Sequence, residues 1–378
     1  MSSDVMPVAE AAANDPKAVA SLIAALGPEP FALISVFLSP QADAPAVMAA
    51  LSRHYAPVPV IGCTTAGEIG RDGYAEGLIV ATALPARYFS ARTLLIEGLR
   101  TLDAQAVIGD VIRARGDLAQ NFPQWQNEFA FLLVDGLSTK EDELASVLAP
   151  GLGSTPLFGG SAADGARFLE TFVFHDGKPL RNAAVLAVVR TRCPVRVFKF
   201  DHFTPTDLRM VVTAADPQKR LVSSINAEPA ALEYARLLGK DPDQLTPFTF
   251  AAHPVVVRLG GQHHVRSIRQ VDESGDLVFF SAIDEGLVLT LAEAQDMAAH
   301  LEGEFAALGA VAKPQAILAC DCVLRRMEAL EKQLTGRISA ILRDHNVTGF
   351  STYGEQLNAM HVNQTLTGVA IYAPDSVL

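Results

Sequence analysis

One order of elements occurs three times along the chain, and it limits the fold more than any other feature. "FALISVFLS" (31–39) reads as a buried strand. A helical segment, "APAVMAALSRH", follows it, then a second strand ending in "PVIGCTTAGEIG" and a third strand, "GLIVATAL". "FAFLLVDGLS" (129–138) starts the same order again, with Ser138 and Glu141 at capping-box spacing before a helix, then "PLFGGSAADG" and "NAAVLAVV". "PQAILACDC" starts it a third time. A long helix, "VLRRMEALEKQLTGRISAILRDH", carries Leu324, Met327, Leu330, Leu334, Ile338 and Ile341 at helical spacing, and "VTGFSTYGEQ" and "LTGVAIY" close the unit. Phe31 to Gly62 spans 31 residues, Phe129 to Gly159 spans 30 and Ala316 to Gly349 spans 33. Each unit therefore predicts a right-handed β-α-β crossover. The glycines are expected to let the chain turn where the second strand ends. Two residues beyond them stand the hydroxyls of Thr64, Ser161 and Ser351. The first and third loops share Gly67-Glu68 and Gly354-Glu355, and both glutamates are expected to anchor their loops through backbone N–H groups; the middle loop departs with Asp164-Gly165.

Between the second and third units the pattern changes. "CPVRVFKFDHFTPTDLRMVVTAAD" reads as two strands, and "EPAALEYARLLG" as a short helix stopped at Gly239. Residues 253–286 read as an antiparallel meander with a hairpin turn at Ser274-Gly275, and "LAEAQDMAAHLEGEFAALG" reads as another amphipathic helix. The expectation is an α/β protein of two domains built on repeated β-α-β units with mixed sheets, plus an antiparallel meander in the C-terminal half. The expected boundaries are a lead-in over 1–29, one domain over 30–220 and another over 221–378.

A net charge of −12 argues against nucleic acid and anionic membrane as partners, since both call for basic patches. No run reaches the ~18 apolar residues of a membrane helix, and the start lacks the basic and apolar blocks of a secretion signal. These readings predict a cytoplasmic protein. Cys63, Cys193, Cys320 and Cys322 are too few for a disulfide framework in 378 residues. A thiol nucleophile at Cys63 would need a base within reach, and no histidine is close in sequence, so the chain is not expected to be an enzyme.

The densest polar stretch is "GFSTYGEQLNAMHVNQTLTGVAIY" (349–372), which puts Tyr353, Glu355, Asn358, His361, Asn363 and Gln364 between two strand-like runs. Taken in order, "IGCTTAGEI", "LFGGSAADG", "AALEYARLLG", "HPVVVRLGG", "AIDEGLVLTLA" and "GFSTYGEQ" resemble the FIST family of sensory proteins over nearly the whole chain. The final stretch is most similar to its haem-binding, nitric-oxide-sensing branch, often called NosP. That resemblance implies a bacterial sensor holding haem b, responding to a diatomic gas, and regulating a separate histidine kinase or cyclic-di-GMP enzyme. It makes His361 the candidate axial ligand to the iron, with Asn363 or Gln364 bonding its second ring nitrogen. His253 and Tyr353 are the other candidate ligands, and Arg258 and Arg266 the candidate partners of the propionates. Without Cys-x-x-Cys-His, covalent attachment is excluded. The alternative is a FIST-type domain that grips a small metabolite such as an amino acid at the strand ends, through Thr64, Glu68, Ser351 and Glu355.

Overall fold

The structure is a computed structural model and describes residues 5–259 and 261–377; residues 1–4 of the expected lead-in lie outside it. The repeat is realised as three equivalent units. The first runs β1 (Val8–Ala12), α1 (Ala18–Leu26), β2 (Phe31–Leu38), α2 (Ala44–Tyr55), β3 (Val60–Thr64), a hairpin of β4 (Glu68–Gly70) and β5 (Gly73–Ala75), and β6 (Leu78–Pro85). The second runs β7 (Phe89–Glu97), α3 (Ala104–Asn121), β8 (Asn127–Val134), α4 (Glu141–Leu152), β9 (Leu157–Ser161), a hairpin of β10 (Val173–His175) and β11 (Lys178–Leu180), and β12 (Ala183–Thr191).

The third begins with β13 (Val195–Phe200) and is then interrupted. Strands β14 (Phe203–Asp216) to β21 (Val288–Ala294), with α5 (Ala230–Leu238) and α6 (Pro247–Ala252), form the antiparallel sheet of the C-terminal half. The unit resumes with α7 (Met297–Leu308), β22 (Ala316–Cys322), α8 (Val323–Glu331), α9 (Thr335–Asp344), β23 (Val347–Thr352), a hairpin of β24 (Glu355–Leu357) and β25 (Met360–Val362), and β26 (Leu366–Ile371).

Each unit gives its hairpin away. The sheet orders are β1-β6-β2-β3-β10-β11, β7-β12-β8-β9-β24-β25 and β13-β26-β22-β23-β4-β5. The first unit's hairpin extends the third unit's sheet, the third's extends the second's, and the second's extends the first's. Residue 220 falls between β14 and β15 (Leu221–Ile225), which pair with each other. The expected lead-in supplies β1, paired in register with β6.

The three sheets face inward onto one core. Phe37 stacks on Phe350 at 4.5 Å, and Phe131 on Phe158 at 4.9 Å. Burying each such ring contributes about 1.5–3 kcal/mol. The outer faces carry the helices: α1 and α2 on the first sheet, α3 and α4 on the second, α7 and α9 on the third. No helix among the described residues is long and apolar enough to cross a membrane.

The repeat glycines have a different cause from the expected turn. Gly62, Gly159 and Gly349 lie within β3, β9 and β23, each opposite a residue of its parallel neighbour: Val36, Leu132 and Ala319. A Cβ at any of the three would overlap that neighbour's carbonyl oxygen. They are close-approach glycines; the turn falls to Gly67 and Gly354, at φ 119° and 145°.

Three further local expectations change. The long helix is broken into α8 and α9, with Gln333 at positive φ between them, and Leu330 is exposed because the two axes do not continue one apolar stripe. Glu141 forms no capping box with Ser138; its carboxylate pairs instead with Arg220, a buried guanidinium from the inserted sheet. Finally, Leu291–Ala294 completes strand β21, so the following helix begins only at Met297, capped by Asp296.

Candidate functional site

The three loops after β3, β9 and β23 meet one another. Ala66 N–H donates to Ser351 O at 2.9 Å, Ser161 N–H to Gly354 O at 2.9 Å, and Ala163 N–H to Thr64 O at 2.9 Å. The first and third loops are built alike. Thr65 donates its hydroxyl to Glu68, and Thr352 donates to Glu355, three residues on. Glu68 also accepts from Leu78 N–H at 3.1 Å, and Glu355 from Thr365 N–H at 3.3 Å and Thr365 Oγ1 at 2.7 Å. Both carboxyls are wholly buried. They therefore pin the returning strand of their unit, as expected, and are closed to any ligand.

Burial raises Glu68 to about 7 and Glu355 to about 8, against the hydrogen bonds from their threonines. The folded protein holds these protons more tightly than the unfolded chain does. Their contribution to stability is thus complete below about pH 4.5 and is lost as pH climbs to about 8. Glu355→Gln keeps the shape without the charge. Its melting temperature is expected to gain on the wild type from pH 5 to pH 8 and to hold a constant lead above that, worth on the order of a few kcal/mol. A lead that does not change with pH would mean that Glu355 is ionised in the fold.

Beside the first and second loops a cavity of about 500 Å³ opens between units. Ala66, Gly67, Asp164 and Arg167 line one side, and α8 presents Val323, Arg326, Met327 and Leu330 from the other. Most of its charged groups are already engaged. Arg326 donates to Glu68 O at 3.2 Å and Ala75 O at 2.7 Å and lies over the Tyr74 ring at 4.9 Å. Asp164 accepts from the backbone N–H groups of Phe168, Leu169 and Glu170 at 2.8–3.0 Å and from the Tyr353 hydroxyl. Burial pushes Asp164 up, but the Tyr353 hydroxyl and these N–H groups outweigh it and hold it below the usual carboxylate range. What the cavity offers is an apolar wall along one helix face, with polar groups fixed at its rim. Ligand sites of α/β folds commonly lie at strand ends and combine these two features.

His361 lies elsewhere, on β25, and is 1% exposed. Its Nδ1 faces Gln356 Nε2 at 3.2 Å, and its Nε2 faces Asn363 Nδ2 at 3.4 Å. Asn363 is fixed in that orientation because its Oδ1 accepts from Ser281 Oγ at 2.6 Å. Burial holds the imidazole below its usual range, so the ring is neutral. It also sits against Gly354, where a Cβ would overlap it. Haem iron needs a lone pair aimed at open space and a slot for the macrocycle. Both ring nitrogens of His361 are instead faced by amides and one side of the ring is covered by backbone, so this arrangement does not fit haem.

The other candidates stand apart. Tyr353 donates to Asp164 and stacks on Phe168 at 4.2 Å, and burial raises its phenol far above its usual range. His253 ends α6, half-buried, with its carbonyl accepting from the Tyr234 hydroxyl. Arg258 is exposed on the inserted sheet, whereas Arg266 is buried and donates to His361 O at 3.2 Å. Of the alternative set, Glu68 and Glu355 are the buried anchors described above, Thr64 Oγ1 accepts from Phe172 N–H at 3.1 Å, and Ser351 Oγ lies 3.5 Å from Arg326 Nη1. Cys63 and Cys320 are buried, with thiols pushed well up by desolvation, which removes the thiol nucleophile. In the sequence Met327 shows only as part of an apolar helical stripe and Arg326 as its charged neighbour, a pairing that carries no sign of a cavity.

Comparison with known proteins gives two family matches. The FIST N domain model matches residues 32–228, and the FIST C domain model matches residues 230–358. An uncharacterised protein of Methanocaldococcus jannaschii is 25% identical over 253 residues, which cover 61% of this chain and 48% of that protein. The chain thus spans about half the length of that relative.

Proposed function

Because the chain belongs to the FIST family of sensory proteins, we propose that it senses a small, partly apolar metabolite held in the cavity between the first two loops and α8. The observation behind this reading is the cavity itself: about 500 Å³ at the meeting of strand ends from different units, with Val323, Met327 and Leu330 as its apolar wall. An occupant there touches all three units at once, so binding would change how they sit together. Signalling would pass to a histidine kinase or a cyclic-di-GMP enzyme.

A thermal-shift screen against metabolites tests the reading. Met327 is half-buried, borders the cavity and packs at the edge of a buried cluster, so Met327→Trp is expected to fill the space. A metabolite that raises the wild-type melting temperature is expected to have no effect on Met327→Trp. A response retained in that variant would move the site elsewhere.

Haem sensing of a diatomic gas competes with this reading and predicts a different result. The packing around His361 leads us to expect no sharp Soret band after reconstitution with haem. A sharp band that shifts with carbon monoxide on the ferrous form and disappears in His361→Ala would replace the metabolite reading.

A further inference from the structure

The first and third loops are alike around their glutamates but differ at one backbone donor. In the third loop Gly354 N–H donates to Thr352 Oγ1 at 3.2 Å. In the first, the matching hydroxyl of Thr65 turns to Leu38 O at 3.3 Å and to Glu68, and Gly67 N–H finds no acceptor among the described residues. Gly67 is nonetheless buried, and it lines the cavity beside α8. A buried N–H without an acceptor is rare and costly, so this one calls for an acceptor from outside the chain.

A cation lines the same cavity. Gly165 N–H donates to Thr65 O at 3.0 Å, and this bond ties the second loop to the first. Gly67 and Arg167 each stand two residues beyond that bond, and both face the cavity. Arg167 donates through Nε to Asp164 O at 3.0 Å, while its two terminal nitrogens make no hydrogen bond among the described residues. Its side chain is 58% exposed, so the charge sits where a ligand can reach it from solvent. The two acids of the rim are occupied. Asp164 accepts four hydrogen bonds, and Glu76 faces Arg326 at 3.5 Å. Neither is set apart for an ammonium group. A rim on which Arg167 and Arg326 are balanced by Asp164 and Glu76 also suits a singly charged anion better than a dianionic phosphate.

We infer that the ligand of this cavity is a carboxylic acid with an apolar tail and no ammonium group. Its carboxylate is held between Gly67 N–H and the Arg167 guanidinium, and its tail lies along Val323, Met327 and Leu330. This assignment rests on the cavity being the sensory site and adds the chemical class of its occupant. Charge-assisted bonds of this kind are about twice as strong as neutral ones, so the carboxylate carries much of the affinity.

The test titrates acetate, butyrate, hexanoate and octanoate, and the alcohols of matching length, into the full chain at constant ionic strength. The melting temperature is expected to rise saturably with the acids, more with longer tails, and the longer acids should bind at least about tenfold more tightly than their alcohols. A flat response to the whole series, or equal affinity for acid and alcohol, overturns the carboxylate assignment. Norleucine, which is hexanoate with an added ammonium group, is expected to bind several-fold more weakly than hexanoate, and equal or tighter binding overturns the exclusion of the ammonium. Arg167→Met, a change at an exposed side chain, should weaken the acids about tenfold and leave the alcohols unchanged. An equal effect on both, or none, removes Arg167 from the site. The Gly67 amide proton resonance is expected to move downfield with octanoate and not with octanol, and an unmoved resonance removes Gly67. Met327→Trp should abolish every response. Alcohols that match the acids on the wild type and fail on Met327→Trp would leave the cavity as the sensory site and overturn the carboxylate alone. Acids that stabilise Met327→Trp as well as the wild type would overturn both.

Discussion

Gly349→Ala is expected to be the most damaging small substitution in this protein. The added methyl would overlap Ala319 O on the parallel neighbour, in the middle of the third sheet, and no side chain can move to relieve it. Only separation of β22 from β23 makes room, and these strands lie at the centre of their sheet. The cost in urea unfolding should exceed about 3 kcal/mol. Gly159→Ala and Gly62→Ala meet the same kind of obstacle, with less overlap, and should follow in that order. Equal, small losses at all three would show that the sheets relax easily and that close approach is not what selects glycine.

The second large effect is expected at Arg325, on the side of α8 away from the cavity. Arg325 is 2% exposed and binds Asp321 through Nε at 2.8 Å. Its Nη1 donates to His202 Nδ1 at 3.0 Å, and His202 Nε2 faces both oxygens of Glu328 at 3.0 Å. Since Nδ1 accepts from arginine, His202 is neutral and gives its one proton to Glu328. Burial, together with the nearby Arg325 charge, holds its pKa below the usual value. Arg325→Met leaves Asp321 buried without its cation and should cost about 3–5 kcal/mol. With the arginine gone, His202 can take a second proton beside Glu328, so its folded-state pKa rises. That compensation is present below the unfolded histidine pKa and is lost as pH rises through the folded one. The variant should therefore lose less stability at pH 5.5 than at pH 8. A loss under about 1 kcal/mol at both would place the network among the weak surface ion pairs.

The sequence carried the units but not their connections. Strand, helix and glycine positions recur because every unit must lay a buried parallel pair under a helix, and that demand writes itself into hydrophobic period and spacing. The hairpins β4–β5, β10–β11 and β24–β25 have strands of three residues each. Strands so short carry almost no periodicity, and nothing in "EIG" or "EQL" names the distant strand it will join. The polar residues of the final stretch were visible, but their partners were not. Gln356 meets Ser161, Asn358 Oδ1 accepts from Leu157 N–H at 3.2 Å, and Gln364 donates to Ala251 O at 2.7 Å. Each contact crosses into another unit or into the insert. In the sequence His361 is a lone histidine among amides, and in the fold Gln356 and Asn363 of that same stretch enclose it. In the sequence Arg258 and Arg266 are two equivalent meander arginines; the fold buries only Arg266, because which face of a meander is covered depends on the unit beneath it.

The exchange of hairpins also sets the order in which a growing chain can finish. Glu68 and Ile69 pair with Phe350 and Gly349, so the first unit's hairpin has no partner until β23 of the third unit emerges. The first sheet likewise waits for β10 from the second unit, and the second sheet for β24 from the third. A ribosome-bound fragment ending after the second unit would hold one completed sheet, one sheet lacking its last two strands, and a loose hairpin with exposed edges. Such edges invite pairing with other chains, and contacts this distant slow folding. The three sheets should thus mature together, with a chain stalled before the third unit prone to aggregate rather than to survive as a working piece.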